Sequence, residues 1–208
     1  FYEIQLNKEI FDKEINDLNI NFINKSQTDC SKITFLAIEV EDVVNSYKDY
    51  IEDYFNRFSI NKNNFFTDVS NYLAYETGQP THCYDFSAIK NETIVFTKEN
   101  LKTEMITLLG NKINISGENC LFKLDKKVIN LAGVIGDKTT ACKKDTKKIL
   151  LECASFKPES IIGRSIKYDL NSEAAYKFER GVDPNNQEYS IRRFIKIIED
   201  HAKIKSLE

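Results

Sequence analysis

The chain has 208 residues, 41% of them hydrophobic, and its 29 basic and 32 acidic residues give a formal net charge of −3. This length and apolar content suffice for one large globular domain. The negative charge argues against a protein that wraps nucleic acid by charge alone, because phosphate neutralisation requires clustered lysine and arginine. No stretch approaches the roughly 18 apolar residues of a membrane span, and no charged-then-apolar leader opens the chain, so we expect no membrane association.

The cysteines are five in number and include no CxxC pair. An odd, scattered set argues against a disulfide framework and against a zinc site, and it favours a cytoplasmic protein. The chain begins with Phe1 rather than methionine and stops in mid-pattern at Glu208. We therefore expect a segment of a longer protein.

The first part of the chain predicts two strands followed by a helix. Apolar runs at 20–23 and 33–40 are typical of strands, and apolar residues recur at helical spacing over 43–58. The aromatic stripe of this helix would also suit base stacking, but at this spacing we interpret it as a core face.

A second helix is predicted over 65–75, with Gly78 placed to end it in a left-handed cap. Pro80 lacks an N–H group and disfavours helical geometry in the residue before it, so 79–85 is predicted to be extended or turned.

The middle of the chain favours strands. Apolar segments at 94–96, 106–109, 113–115, 121–124 and 128–131 predict a meander of hairpins, with a Gly-Asn turn between the second and third.

The remaining elements are one strand and several helices. The apolar run 149–156 predicts a strand buried on both faces. Pro158 is placed to open a helix, Ser172 is a plausible N-cap for a short helix over 173–180, and a last amphipathic helix is predicted over 185–201. With no internal repeat, this order predicts one α+β unit.

Four features could carry chemistry or contact a ligand. His82 follows a predicted helix stop, where a histidine is more often a structural hydrogen bonder than a catalyst. Glu152 lies among apolar residues, and a buried acid needs a partner, either an internal lysine or arginine or a ligand donor. The loop from Gly133 to Gly136 would let backbone N–H groups approach a ligand, but it lacks the spacing of a nucleotide-binding motif. A lysine cluster at 143–148 is a solvated turn or an RNA contact.

Five segments, in this order and spacing, resemble the editing region of bacterial phenylalanyl-tRNA synthetase β subunits. They are DVSNY at 68–72, GQPTHCYD at 78–85, LAGVIG at 131–136, LLECA at 150–154 and FERGVDP at 178–184. The resemblance implies a β-rich α+β domain of two packed sheets with flanking helices over 19–202. Residues 1–18 would then be a linker from a preceding module, and 203–208 would start a linker to the next.

The resemblance also implies a pocket for tyrosine misattached to the 3′ end of tRNA(Phe). Glu152 would bind the phenolic hydroxyl, helped by backbone N–H groups between Gly133 and Gly136, and His82 would position the ester or a water molecule. The other implied pocket residues are Ser70, Asn71, Ser172 and Ala174.

By the same resemblance, the partners are an α subunit and the other β-subunit domains in an (αβ)₂ heterotetramer. We expect no cofactor or metal in this segment, whereas ATP and magnesium would serve the complete enzyme. Alternatives are a docking module that has lost editing and a free-standing hydrolase of mischarged tRNA.

The match departs from the family at three places. The family usually has an arginine in the loop before Asp68, where this chain has Ile60, Asn61 and Lys62, and a second glycine where it has Asp137. Loss of the arginine favours the docking alternative. Ser172, where the family has threonine, keeps the hydroxyl.

Overall fold

The computed structural model describes residues 14–89 and 92–208, and within these ranges it has nine strands and six α-helices. The strands are β1 (Asn21–Asn24), β2 (Cys30–Val40), β3 (Thr81–Asp85), β4 (Thr93–Ile106), β5 (Lys112–Leu124), β6 (Lys127–Leu131), β7 (Ile135–Gly136), β8 (Lys148–Phe156) and β9 (Ile204–Leu207). The helices are α1 (Asp49–Phe58), α2 (Phe65–Thr77), α3 (Pro158–Ile161), α4 (Arg164–Lys167), α5 (Glu173–Phe178) and α6 (Gln187–His201).

The strands form two sheets. The first has the order β1-β4-β5-β6-β7 and is built on the long β4–β5 hairpin, in which Ile94 pairs with Leu124 and Ile106 pairs with Lys112. The second has the order β3-β8-β2-β9, and all of its pairs are antiparallel. Strand β8 therefore lies between two neighbours, with both of its edges paired.

Alternate residues of β8 belong to two different hydrophobic cores. Leu150 and Ala154 pack in the core that includes Phe122 of the first sheet. Leu151 and Cys153 pack in the core beneath α1, α2 and α6. The layers are thus sheet, sheet and helices. This confirms both the buried strand at 149–156 and the α+β class with two packed sheets and flanking helices.

Helix α2 has the predicted ends. The side chain of Asn64 accepts a hydrogen bond from the N–H of Thr67 (3.1 Å), and Gly78 ends the helix at φ +76°. Helix α1 begins six residues later than predicted, at Asp49 rather than residue 43. The N–H groups of Tyr47 and Lys48 donate instead to the side chains of Glu52 (2.8 Å) and His201 (2.9 Å), so residues before Asp49 do not continue the helix.

The core interpretation of the aromatic stripe over 43–58 is correct for Tyr47, Tyr50 and Tyr54, which are partly buried against the core beneath the helices, but wrong for Phe58, which is 53% exposed. Phe58 packs on Tyr54 and Tyr75, with ring centroids 5.6 and 5.2 Å away. Phe58 thus lies at the surface, in contact with aromatic rings of α1 and α2.

Three boundary predictions differ from the structure. The first four predicted strands of the meander merge into one long hairpin, because β4 and β5 pair without interruption over 94–106 and 112–124, whereas the fifth is present as β6 and pairs with β5. Residues 203–208 are not the start of a linker, since β9 pairs with β2. Of the predicted linker at 1–18, residues 1–13 lie outside the described part of the chain, and Ile15 and Leu18 pack against the two cores.

The smaller predicted elements agree with the structure. Pro158 opens α3, Ser172 caps α5, and the last helix starts at Gln187 instead of 185. None of the helices in the described ranges is long and apolar enough to cross a membrane.

Candidate functional site

A cavity of about 490 Å³ opens where β3, β8 and the Gly133–Gly136 loop meet helices α2 and α5. Its volume lies within the range of sites that bind small molecules. The predicted site residues all line it: His82, Glu152, Gly133, Gly136, Ser70, Asn71, Ser172 and Ala174. Segments far apart in the sequence thus meet at one place.

Strand register brings His82 and Glu152 together. They are directly opposed across the antiparallel β3–β8 pair, so both side chains point to the same face of the second sheet. Tyr84 lies two residues beyond His82 and shares this face. The face points toward the first sheet, since Tyr84 belongs to the core between the sheets.

Glu152 is buried, with 4% of its surface exposed, and its partner is a tyrosine. The hydroxyl of Tyr84 donates to Glu152 Oε2 at 2.6 Å, and Asn130 Nδ2 donates to the same hydroxyl at 3.1 Å. Burial raises the pKa of Glu152 to about 8, although the hydrogen bond from Tyr84 opposes this shift. Burial therefore favours the protonated, neutral form of this carboxyl group at neutral pH.

The internal partner of Glu152 is not the lysine or arginine that the sequence suggested. Within the described residues its hydrogen-bonded partner is the phenol of Tyr84. Tyr84 and Asn130 are residues that the sequence reasoning missed. Tyr84 lies inside the GQPTHCYD segment, but a tyrosine in a strand gives no sign of what its hydroxyl contacts.

His82 is held as a neutral imidazole with a free nitrogen. Its Nε2 atom is buried and has no hydrogen-bond partner among the residues that the structure describes. Burial lowers the pKa of His82 to about 4, so the ring is uncharged at pH 7. The ring packs edge-on against Tyr84, with centroids 4.4 Å apart. A neutral imidazole can accept from or donate to a ligand, depending on its tautomer.

The two glycines of the loop are required for different reasons. At Gly133, φ is +71°, and a Cβ atom would lie 2.9 Å from Cδ1 of Ile161. At Gly136, a Cβ atom would lie 2.7 Å from Nε2 of His82. The absence of a side chain at Gly136 therefore lets the imidazole occupy its position. The N–H of Val134 closes the turn onto Leu131 (2.9 Å), so it is not available to a ligand.

The hydroxyl groups that line the cavity also have structural partners. Ser172 accepts from the N–H of Ala175 (3.1 Å) and donates to the carbonyl of Val134 (2.6 Å), which ties α5 to the glycine loop. Ser70 donates to the carbonyl of Thr81 (2.9 Å), which ties α2 to β3. Both serines hold the cavity walls in position.

The mouth of the cavity carries charge on one side and apolar surface on the other. Lys143 and Lys144 are exposed and line it, as do Leu108 and Leu109 at the tip of the β4–β5 hairpin. The lysine cluster predicted at 143–148 is thus divided, because Lys147 pairs with Asp42 (2.8 Å) and Lys148 pairs with Glu208 (2.7 Å) away from the cavity.

The residues at and near the departures from the family pattern have partners outside the cavity. Lys62 pairs with Glu52 at 2.6 Å, and Arg57 pairs with Asp53 at 3.4 Å, so neither reaches the cavity. No arginine of the described residues lines it. Asp137 accepts from the N–H of Thr139 (2.8 Å) and so stabilises the turn after β7.

No three potential metal ligands lie close enough together to hold a metal ion in the part of the chain that the structure describes. The five cysteines are free thiols. The site therefore consists of a buried acid, a neutral imidazole, backbone groups and a basic rim.

Comparison with known proteins identifies the family. The B3/4 domain family matches residues 31–203. The chain is 34% identical over 134 residues to the phenylalanine–tRNA ligase β subunit of Photorhabdus laumondii, which covers 64% of this chain and 17% of that protein. It is 31% identical over 171 residues to the same subunit of Neisseria gonorrhoeae, which covers 82% of this chain and 22% of that protein.

A solved structure has a similar fold. The N-terminal fragment of the phenylalanyl-tRNA synthetase β subunit from Pyrococcus horikoshii superposes with a TM-score of 0.56 over 92% of this chain and 52% of that fragment, at 10% identity. Because the chain spans 17% to 22% of the curated relatives named above, it corresponds to one segment of such subunits. The family match covers most of the chain, and the chain therefore belongs to the B3/4 domain family.

Proposed function

We propose that the cavity hydrolyses tyrosine esterified to the 3′ end of tRNA(Phe), as the editing site of a phenylalanine–tRNA ligase β subunit. The observation that carries this proposal is Glu152, a buried carboxyl group in the cavity wall that already binds one phenol, that of Tyr84, through Oε2. A second phenol, from the substrate, is the natural partner for its other oxygen.

Glu152 supports selection of tyrosine over phenylalanine. The tyrosine hydroxyl would complete the hydrogen bonding of the carboxyl group, whereas phenylalanine would exclude water and leave a buried polar atom unpaired. That omission costs on the order of 1–3 kcal/mol, and more if the group is charged. Sites built to bind a substrate hydroxyl reject the analogue without it by roughly 10⁴-fold or more. Correctly charged tRNA would therefore survive.

His82 supports the hydrolytic step. His82 lines the cavity beside Gly136, and its buried Nε2 has no hydrogen-bond partner within the described residues, so a bound ester or water molecule that displaces the neighbouring loop would meet an unpaired nitrogen. We assign it a positioning role. Its lowered pKa, about 4, makes it a weak base, so it is a poor acceptor for a full proton at neutral pH.

The rim supports an approach by RNA. Lys143 and Lys144 are exposed at the mouth and could neutralise phosphates of the tRNA 3′ end. The proposal places the chain in a complete ligase with an α subunit, in which ATP and magnesium serve a synthetic site outside this segment.

One observation favours a second candidate, a docking module without editing chemistry. No arginine of the described residues lines the cavity, although the family usually supplies one. In that case the fold would bind the acceptor end of the tRNA without cleaving the ester.

The test is hydrolysis of tyrosyl-tRNA(Phe) and phenylalanyl-tRNA(Phe) by the full αβ enzyme. We expect the wild type to cleave the tyrosyl ester selectively, and we expect Glu152→Ala and His82→Ala to lose this activity. Matched controls are Glu159→Ala, an exposed acid outside the cavity, and His201→Ala, the other histidine of the chain. If the wild type leaves tyrosyl-tRNA intact, the docking alternative is correct.

A further inference from the structure

A hydrogen-bonded chain of three buried side chains crosses from the first sheet to the second. Asn130 on β6 donates to the hydroxyl of Tyr84 on β3 (3.1 Å), and this hydroxyl donates to Glu152 Oε2 on β8 (2.6 Å). We propose that Tyr84 is a positioning residue that holds Glu152 with one oxygen occupied and the other presented to the cavity. This inference rests on the proposed function and names the group that sets its specificity.

Burial makes this set of three hydrogen-bonded side chains rigid. Tyr84 is 0% exposed, and Asn130 and Glu152 are each 4% exposed, so water does not compete for their hydrogen bonds. The backbone of Tyr84 is fixed on two sides, because it pairs with Leu150 of β8 and forms a bridge with Ala141. Strand pairing and complete burial therefore hold the phenol in place relative to β8.

The hydrogen bond at Oε2 of Glu152 fixes the direction in which the other carboxyl oxygen points. Glu152 lines the cavity, and its carboxyl group has no second hydrogen bond within the described residues. Without the Tyr84 hydroxyl, the side chain could rotate about its terminal bonds, and either oxygen could turn toward the strands. A fixed carboxyl group loses less conformational entropy when it binds a substrate phenol. It also cannot easily turn away from a ligand that lacks the hydroxyl, so such a ligand leaves the free oxygen unpaired.

The surroundings make the titration of Glu152 a direct readout of this hydrogen bond. The titratable groups around it are His82, Cys83 and Tyr84 on β3, Cys30 on β2 and Cys153 on β8, and burial keeps all five neutral near pH 7. The pKa of Glu152 is set by burial, which raises it, and by the Tyr84 hydrogen bond, which lowers it. Loss of the hydroxyl should therefore raise it further.

The first experiment measures that pKa by carbon-13 NMR of the glutamate side-chain carboxyl groups in the 208-residue chain. We expect Tyr84→Phe to raise the pKa of Glu152 by about one unit, since a hydrogen bond to a charged group is worth about that much. Tyr47→Phe is the matched control. It removes a phenol–carboxylate bond to Asp68 (2.7 Å) outside the cavity lining, and it should leave the pKa of Glu152 unchanged.

The second experiment measures binding of free L-tyrosine and L-phenylalanine by calorimetry. We expect Tyr84→Phe to reduce the preference for tyrosine by about tenfold. When Glu152 is already replaced by glutamine, Tyr84→Phe should reduce the preference for tyrosine far less, because Tyr84 acts through Glu152. Equal effects of Tyr84→Phe in both backgrounds would show a merely structural role and overturn the inference.

The outcomes separate the two proposals. A wild-type chain that binds both amino acids equally contradicts the proposed function and, with it, the recognition role of Tyr84. An unchanged carboxyl pKa in Tyr84→Phe contradicts the positioning inference alone. If Tyr84→Phe does not fold, Asn130→Leu removes the donor behind the phenol, and the same two measurements should shift in the same directions by smaller amounts.

Discussion

Replacement of Glu152 by glutamine should stabilise the chain in a manner that depends on pH. The folded-state pKa of Glu152, about 8, lies above its ordinary value of 4.5 because the carboxyl group is buried. The folded chain therefore holds this proton more tightly than the unfolded chain does. Stability is unaffected by this group below pH 4.5, falls as the pH rises from 4.5 to 8, and levels off above 8.

The size of the effect follows from the two pKa values. Each unit of difference is worth about 1.4 kcal/mol, so the penalty from Glu152 grows by on the order of 3 kcal/mol between pH 5.5 and pH 8. Glutamine has a similar shape, does not ionise and can still accept from the Tyr84 hydroxyl. The free energy of unfolding of Glu152→Gln should therefore exceed that of the wild type by more at pH 8 than at pH 5.5. The two differences should themselves differ by on the order of 3 kcal/mol.

The assay is urea unfolding of the wild type and Glu152→Gln at both pH values. Glu159→Gln serves as the control, because this exposed acid should give the same free energy of unfolding as the wild type. A stability difference between Glu152→Gln and wild type that is equal at pH 5.5 and pH 8 would refute the reasoning, since it would mean that Glu152 is not a neutral acid in the folded state.

Three further predictions concern the walls and the rim. Gly136→Ala should lower the free energy of unfolding by about 1–3 kcal/mol and weaken tyrosine binding, because the new Cβ atom would lie 2.7 Å from His82 Nε2; unfolding and calorimetry check both. Ser172→Ala should cost about 1 kcal/mol by loss of the N-cap of α5, and an unchanged unfolding midpoint would contradict this. Replacing Lys143 and Lys144 by alanine should weaken tRNA binding. The slope of log K against log salt concentration should become smaller by roughly 1.4, for two lost single-strand phosphate contacts. Binding of free tyrosine should stay unchanged.

Local sequence signals predicted the elements whose causes are local. The N-cap at Ser172, the proline at the start of α3 and the glycine at the end of α2 each act within one turn of the helix, and the structure has all three. The predictions that missed were those in which distant groups compete. Helix α1 starts late because Lys48 donates to His201, a residue 153 positions away.

The site shows the same contrast between local signals, which the sequence reveals, and contacts between distant residues, which it does not. From the residues alone, a buried acid at Glu152, a loop histidine and a glycine loop could be named but not joined, and their assembly into one pocket came from resemblance to a family. Asn71 and Ala174 would not have been named without it, because neither residue type carries a chemical signal of its own. Tyr84 was missed even so, since its role depends on strand register.

The sequence by itself determined the fold class, most helix and strand positions, and the burial of the acid in 149–156, because hydrophobic periodicity and capping are short-range properties. The tertiary structure alone decided the protonation and partners of the site. The β3–β8 register opposes His82 to Glu152, and the approach of β6 brings Asn130 to Tyr84. A pKa depends on burial and on neighbours that only packing brings within a few ångströms, so no pattern along the chain could reveal a protonated glutamate bound to an internal phenol.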